Sequence, residues 1–183
     1  MSKPKLTFIG GGNMATSLIG GLVDKGYPAD AITATDPLEE SRLKLAKRFG
    51  INTGDDNSQA CASADVILLA VKPQVMQSVL QGLAGSLEHR PLIISIAAGI
   101  SMESLSRWLG GELPIVRCMP NTPALVQTGA SGLYANDQVS DAQKDLAEQV
   151  LNAVGIVCWL DNEADIDAVT AVSGSGPAYY FLV

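Results

Sequence analysis

The residues with the plainest chemical meaning are Gly10, Gly11 and Gly12, followed by Asn13, Met14 and Ala15. Glycines in a G-x-G-x-x-A spacing let backbone N–H groups close on a phosphate, because no Cβ stands between them. Gly10 suits a tight turn, Gly12 the approach of a pyrophosphate, and Ala15 the close packing of a helix on a strand. The chemistry expected of such a loop is the binding of a dinucleotide. Asp36 lies about twenty residues further on, where a carboxylate accepts hydrogen bonds from an adenosine ribose. That placement favours NAD, because a carboxylate repels a 2′-phosphate, yet Thr35, Arg42 and Lys44 stand nearby and could serve one. Asp36 could also cap a helix opening at Pro37.

Other chemistries find few residues to use. The three cysteines, Cys61, Cys118 and Cys158, have no C-x-x-C spacing, and the one histidine, His89, sits in a polar turn. Reduced, mostly buried thiols and a solvated histidine are expected, with no metal site. Among 183 residues, 47% are hydrophobic and 17% charged, as in a soluble α/β domain. The net charge of -7, without a basic cluster, argues against nucleic acid. No apolar run is long enough to span a bilayer and no signal sequence opens the chain, so a cytoplasmic location is expected.

The elements that must position these residues alternate. Leu6–Ile9 has the length and bulk of a buried strand, and a helical apolar pattern follows from Asn13. Further strands are expected at 31–35, 51–53, 64–71, 92–96 and 114–118. Helices are expected from Leu38 to Phe49, from Asp55, from Pro73, and after Ser101 as a cap. This alternation predicts a doubly wound, mostly parallel Rossmann-type sheet. Ligands of such sheets lie beyond the carboxyl ends of the strands. The loops that matter are therefore Gly10–Asn13, Thr35–Pro37, Ala70–Pro73, Ile96–Gly99 and Met119–Pro123. A strand at 130–134, a helix at 140–153, a strand at 156–160 and a helix at 161–172 follow. Ser173-Gly-Ser-Gly-Pro177 then reads as a turn. The apolar residues after it are expected to open a helical second domain that continues beyond this sequence. Residues 1–160 would form the NAD(P)-binding domain, and 161–183 a linker helix with the start of the second domain.

Five segments resemble one family closely: Phe8-Ile-Gly-Gly-Gly-Asn-Met-Ala15, Ala70-Val-Lys-Pro73, Ser95-Ile-Ala-Ala-Gly99, Arg117-Cys-Met-Pro-Asn-Thr-Pro-Ala124 and Val172-Ser-Gly-Ser-Gly-Pro-Ala-Tyr179. They are similar to segments of Δ1-pyrroline-5-carboxylate reductases. The resemblance implies an NAD(P)H-dependent reduction of a cyclic imine to L-proline, with NADPH slightly favoured. It places pyrophosphate at Ile9, Gly10, Gly11, Gly12, Asn13 and Met14, and the adenosine side at Thr35, Asp36 and Asn57. Ala70, Val71, Lys72 and Pro73, with Ile96, Ala97 and Ala98, would run past the ribose and nicotinamide. Asn121 and Thr122 would lie near the reacting ring. For Lys72 a solvated cap at a strand end, and for Asn121 a local turn before Pro123, are the competing readings.

The resemblance also implies that the substrate's carboxylate and nitrogen are met in the second domain, by a Ser-Pro-Gly-Gly-Thr-Thr loop. This sequence has no such loop, so no catalytic residue is assigned within it. The family dimerises through that domain, so a homo-oligomer is expected of a full-length protein. Two other readings stand beside this one: another two-domain NAD(P)-dependent dehydrogenase, and a dinucleotide-binding module without catalysis.

Overall fold

Eight short strands alternate with helices along residues 3–181, the residues described by the structure, a computed structural model. Strands β1 (Leu6–Ile9), β4 (Val66–Leu69) and β5 (Leu92–Ser95) are buried at every position. Only a sheet covered on both faces can hold such continuous apolar runs. With β2 (Ile32–Thr35), β3 (Asn52–Gly54) and β6 (Ile115–Met119) they form a parallel sheet in the order β3-β2-β1-β4-β5-β6. β7 (Gly129–Ala135) then pairs antiparallel with β6, and β8 (Gly155–Trp159) pairs parallel with β7.

The helices divide between the two faces. One core gathers Leu6, Phe8, Leu68 and Ile94 with α1 (Asn13–Asp24), α2 (Glu39–Phe49) and α6 (Asp141–Leu151). The other gathers Ile9, Ile67, Leu69 and Ile93 with α3 (Asn57–Cys61), α4 (Pro73–Leu83) and α5 (Met102–Leu109). Ends follow local chemistry. Gly50 and Gly110 stop α2 and α5 in the left-handed conformation, and Ser101 caps α5 by accepting from the Ser104 N–H. Ser140 and Gln143 form a reciprocal capping box on α6. No helix among the described residues is long and apolar enough to cross a membrane.

Two expectations fail here. Asp36 does not cap α2: the helix starts at Glu39, with Leu38 as its uncapped N-terminal neighbour, and Pro37 lies outside it. Nor do residues 173–177 make a turn. After α7 (Asp165–Val169), residues Thr170–Ser175 form a π-helical segment that runs on into α8 (Gly176–Phe181). Pro177 has no N–H, and its ring would press on the carbonyl four residues back. The wider π turn relieves that contact. Gly174 fits because a Cβ there would stand 2.8 Å from Cε of Met119. Of the apolar run after Pro177, Leu182 and Val183 lie outside the described residues.

Candidate functional site

The five loops named from the sequence all lie at the carboxyl edge of the parallel strands, and three hydrogen bonds join the first two of them and the start of α3. Gly10 (φ +101°) donates its N–H to the Thr35 carbonyl at 2.8 Å. A Cβ on Gly10 would stand 2.7 Å from the Ala70 carbonyl oxygen, so glycine is required by the packing of this loop on the end of β4. Gly11 donates to Oδ2 of Asp36 at 2.9 Å, and a Cβ on it would crowd Leu45 at 3.0 Å. The Thr35 hydroxyl donates to Oδ1 of Asn57 at 2.6 Å, joining the ends of β2 and α3.

Gly12 is different. It is exposed, its φ of -70° suits any residue, and nothing in the chain lies within 4 Å of where its Cβ would be. The first two glycines are explained by the protein's own packing, whereas the third leaves open space. That space faces the start of α1, whose N-terminus receives no side-chain cap. The uncapped N–H groups and the positive end of the helix dipole make it a place for an anion.

The remaining candidates sort by exposure. Ile9 is buried in the core, so only its backbone reaches the edge, while Asn13 is exposed and Met14 half-buried. Asp36 Oδ1 accepts from the Leu38 N–H at 2.9 Å, so both carboxylate oxygens are engaged by the loops themselves. Lys72 is exposed at the N-cap of α4 without a side-chain capping bond, and Pro73 takes the first helical position. Ala70, Val71 and Ile96 are half-buried, Ala97 is buried, and Ala98 is exposed. Mostly apolar side chains thus line the path from β1 across β4 and β5.

Asn121 is used differently from a local turn. Its Oδ1 accepts from the Ala130 N–H at 2.9 Å, and its Nδ2 donates to Oγ of Ser173 at 2.8 Å. It therefore links the end of β6 to β7 and to the π-helical segment, while Thr122 beside it is exposed. The sequence reading did not single out Ser173 as a partner of this edge, nor the pair Arg117 and Glu163. Arg117 is buried, and its guanidinium meets Oε1 of Glu163, which also accepts from the Met102 N–H at 2.6 Å. A charged residue inside an apolar strand was the available signal for Arg117; its partner 46 positions away had none.

The other polar groups bear less on the site. His89 is exposed, with Nε2 3.0 Å from the Ala64 carbonyl. All three cysteines are free, Cys61 and Cys118 buried and Cys158 exposed. Burial pushes both buried thiols up to about 12, against a small opposing effect of the Ser131 hydrogen bond on Cys118. Neither is a nucleophile near neutral pH.

Residues 5–99 match the family model described as NADP oxidoreductase coenzyme F420-dependent. The chain is 61% identical over 183 residues to a pyrroline-5-carboxylate reductase of Pseudomonas aeruginosa, covering all of this chain and 67% of that protein. A solved pyrroline-5-carboxylate reductase from Coxiella burnetii superposes with a TM-score of 0.95 at 43% identity, over 98% of this chain and 67% of the other. A Plasmodium falciparum pyrroline carboxylate reductase, solved with NADP bound, gives 0.87 at 32%, over 100% and 66%. The chain thus spans about two thirds of the length of the relatives it matches. Fold, edge loops and sequence agree, and the chain belongs to the pyrroline-5-carboxylate reductase family.

Proposed function

We infer that this chain holds NADP(H) along the carboxyl edge of its sheet and so carries the cofactor half of a pyrroline-5-carboxylate reductase. The reaction is the reduction of Δ1-pyrroline-5-carboxylate to L-proline, the last step of proline biosynthesis. The observation that carries the cofactor assignment is Gly12, a glycine that nothing in the protein's packing requires, set before an uncapped helix N-terminus. In this reading the backbone from Ile9 to Met14 holds the pyrophosphate through N–H groups. Thr35, Asp36 and Asn57 face the adenosine side, where the Thr35–Asn57 hydrogen bond fixes the amide's orientation. Ala70 to Pro73 and Ile96 to Ala98 keep the path narrow and mostly apolar, and Asn121 and Thr122 stand by the reacting ring.

Bound there, the reduced nicotinamide supplies the hydride that adds to the imine carbon. The chain's residues orient it and keep water from the ring. None of them is assigned as a catalytic acid. Residues 161–183 lead, in this proposal, from the cofactor domain at 1–160 into a helical substrate and dimerisation domain, and the full-length protein works as a homo-oligomer. The free thiols support a reducing, cytoplasmic setting.

Replacing Gly12 with Val tests the assignment. The backbone there accepts a side chain, so thermal unfolding should stay within a few degrees of wild type. NADPH titration followed by cofactor fluorescence should show affinity lost by at least about 100-fold, roughly the contribution of two charge-assisted hydrogen bonds. An unchanged affinity would refute the pyrophosphate site.

A further inference from the structure

An acidic residue at the ribose position ordinarily selects NAD, yet the family model matched here is an NADP oxidoreductase and a solved relative holds NADP. We propose that Arg42 resolves this conflict, by holding the 2′-phosphate of NADPH beside Asp36. The proposal rests on the cofactor reading above.

Asp36 is largely spent on the loops. Its two oxygens accept from the N–H groups of Gly11 and Leu38, each at 2.9 Å, so two backbone dipoles compensate its charge. Arg42 lies in the first turns of α2, and a long helical side chain leans toward the helix N-terminus. Its Nη1 donates to the carbonyls of Asp36 at 2.7 Å and Pro37 at 3.2 Å. Its Nη2 stands 3.6 Å from Oδ2 of Asp55, in the loop after β3. The guanidinium is therefore fixed between the ends of β2 and β3, the adenosine side of a sheet of this order.

It is fixed but not saturated. A guanidinium carries five N–H donors in a planar fork, and the loop carbonyls occupy only Nη1. The side chain is 18% exposed while that of Asp55 is 72% exposed, so the pair between them is weak and screened. A phosphate bearing close to two negative charges can displace Asp55 from the fork. The neighbouring cations, Lys44 and Arg48, line a different groove, with Asn13, Ser17 and Gln127 between α1 and the segment after β6. Arg42 is the cation that the fold places at the ribose.

The test is titration of the full-length protein with NADPH and with NADH. Arg42→Met should weaken NADPH by about 10- to 100-fold and NADH by less than about threefold, with Arg42→Lys in between. Wild-type affinity for NADPH should also fall with salt more steeply than that of the Met variant. Equal loss of both cofactors would make Arg42 only a brace for the loop, and no loss would remove it from the site; either overturns the proposal. Should Arg42→Met misfold, Asp55→Asn tests the same idea from an exposed position. It frees the fork and should raise the preference for NADPH over NADH severalfold, and an unchanged preference overturns the proposal. Wild-type protein that binds neither dinucleotide overturns the cofactor reading, and this proposal with it.

Discussion

Gly10 and Gly12 show how one motif letter can stand for two physical demands. Gly10 has a positive φ and no room, since its Cβ would meet the Ala70 carbonyl at 2.7 Å. Gly10→Ala should therefore cost about 3 kcal/mol of stability, from strain and overpacking together. Gly12→Ala should cost less than about 1 kcal/mol. Urea unfolding of the two variants separates them, and equal costs would contradict this account. The motif was legible in the sequence because its glycine spacing falls between a strand and a helix. The roles within it were not, because they depend on Ala70, sixty positions away. Asp36 carries the same lesson: the sequence offered a cap or a ribose contact, and the Gly11 N–H became visible only when β1 and β2 were side by side.

At the scale of elements, the strands and the edge loops were legible because burial on both faces writes continuous apolar runs. Most strand and helix ends fall within a few residues of their expected places, Asn13, Phe49, Pro73 and Ser101 among them. The π-helical segment was not legible, since Ser-Gly-Ser-Gly-Pro has the composition of a turn. What overrides that composition is tertiary: Gly174 against Met119 and Ser173 against Asn121. Glu163 does comparable work lower on the same face, joining β6, the start of α5 and the approach to α7 through one carboxylate. Removing it leaves the Arg117 charge buried without a partner. Glu163→Ala should cost about 2 to 3 kcal/mol, below the roughly 3 to 5 kcal/mol of a fully buried pair because its side chain is 31% exposed. Glu163→Gln, which keeps an acceptor, should cost less. The ordering of the two in thermal melts checks the claim, and Gln equal to Ala would mean that the contact to the Met102 N–H contributes nothing.

The molecule as a whole places its ionisable burden on the alkaline side. Burial pushes Cys61 and Cys118 from 9.0 to about 12, and burial followed by the Asp65 charge pushes Tyr27 from 10.0 to about 12. A group whose pKa is raised by folding stabilises fully below its unfolded value, and that stability is lost as pH rises through the folded value. Each buried thiol should therefore lower stability by about 1.4 kcal/mol per pH unit between roughly 9 and 12. Urea midpoints measured at pH 8, 9.5 and 10.5 should fall progressively, and Cys118→Ala should flatten the decline even if it lowers stability overall. A midpoint that stays level across this window would show that the thiols are not shielded in solution. A last property of the whole molecule concerns direction. Six strands end at the carboxyl edge, and β7 and β8 run the opposite way. The chain accordingly leaves β8 at the far rim, and α7 with the π-helical segment must climb back across the face to bring Ser173 to Asn121. Were β8 to point the other way, the helix would set out from the near rim and descend away from Asn121. The parity of strand reversals, more than any single residue, delivers α8 to the edge where the nicotinamide is proposed to lie.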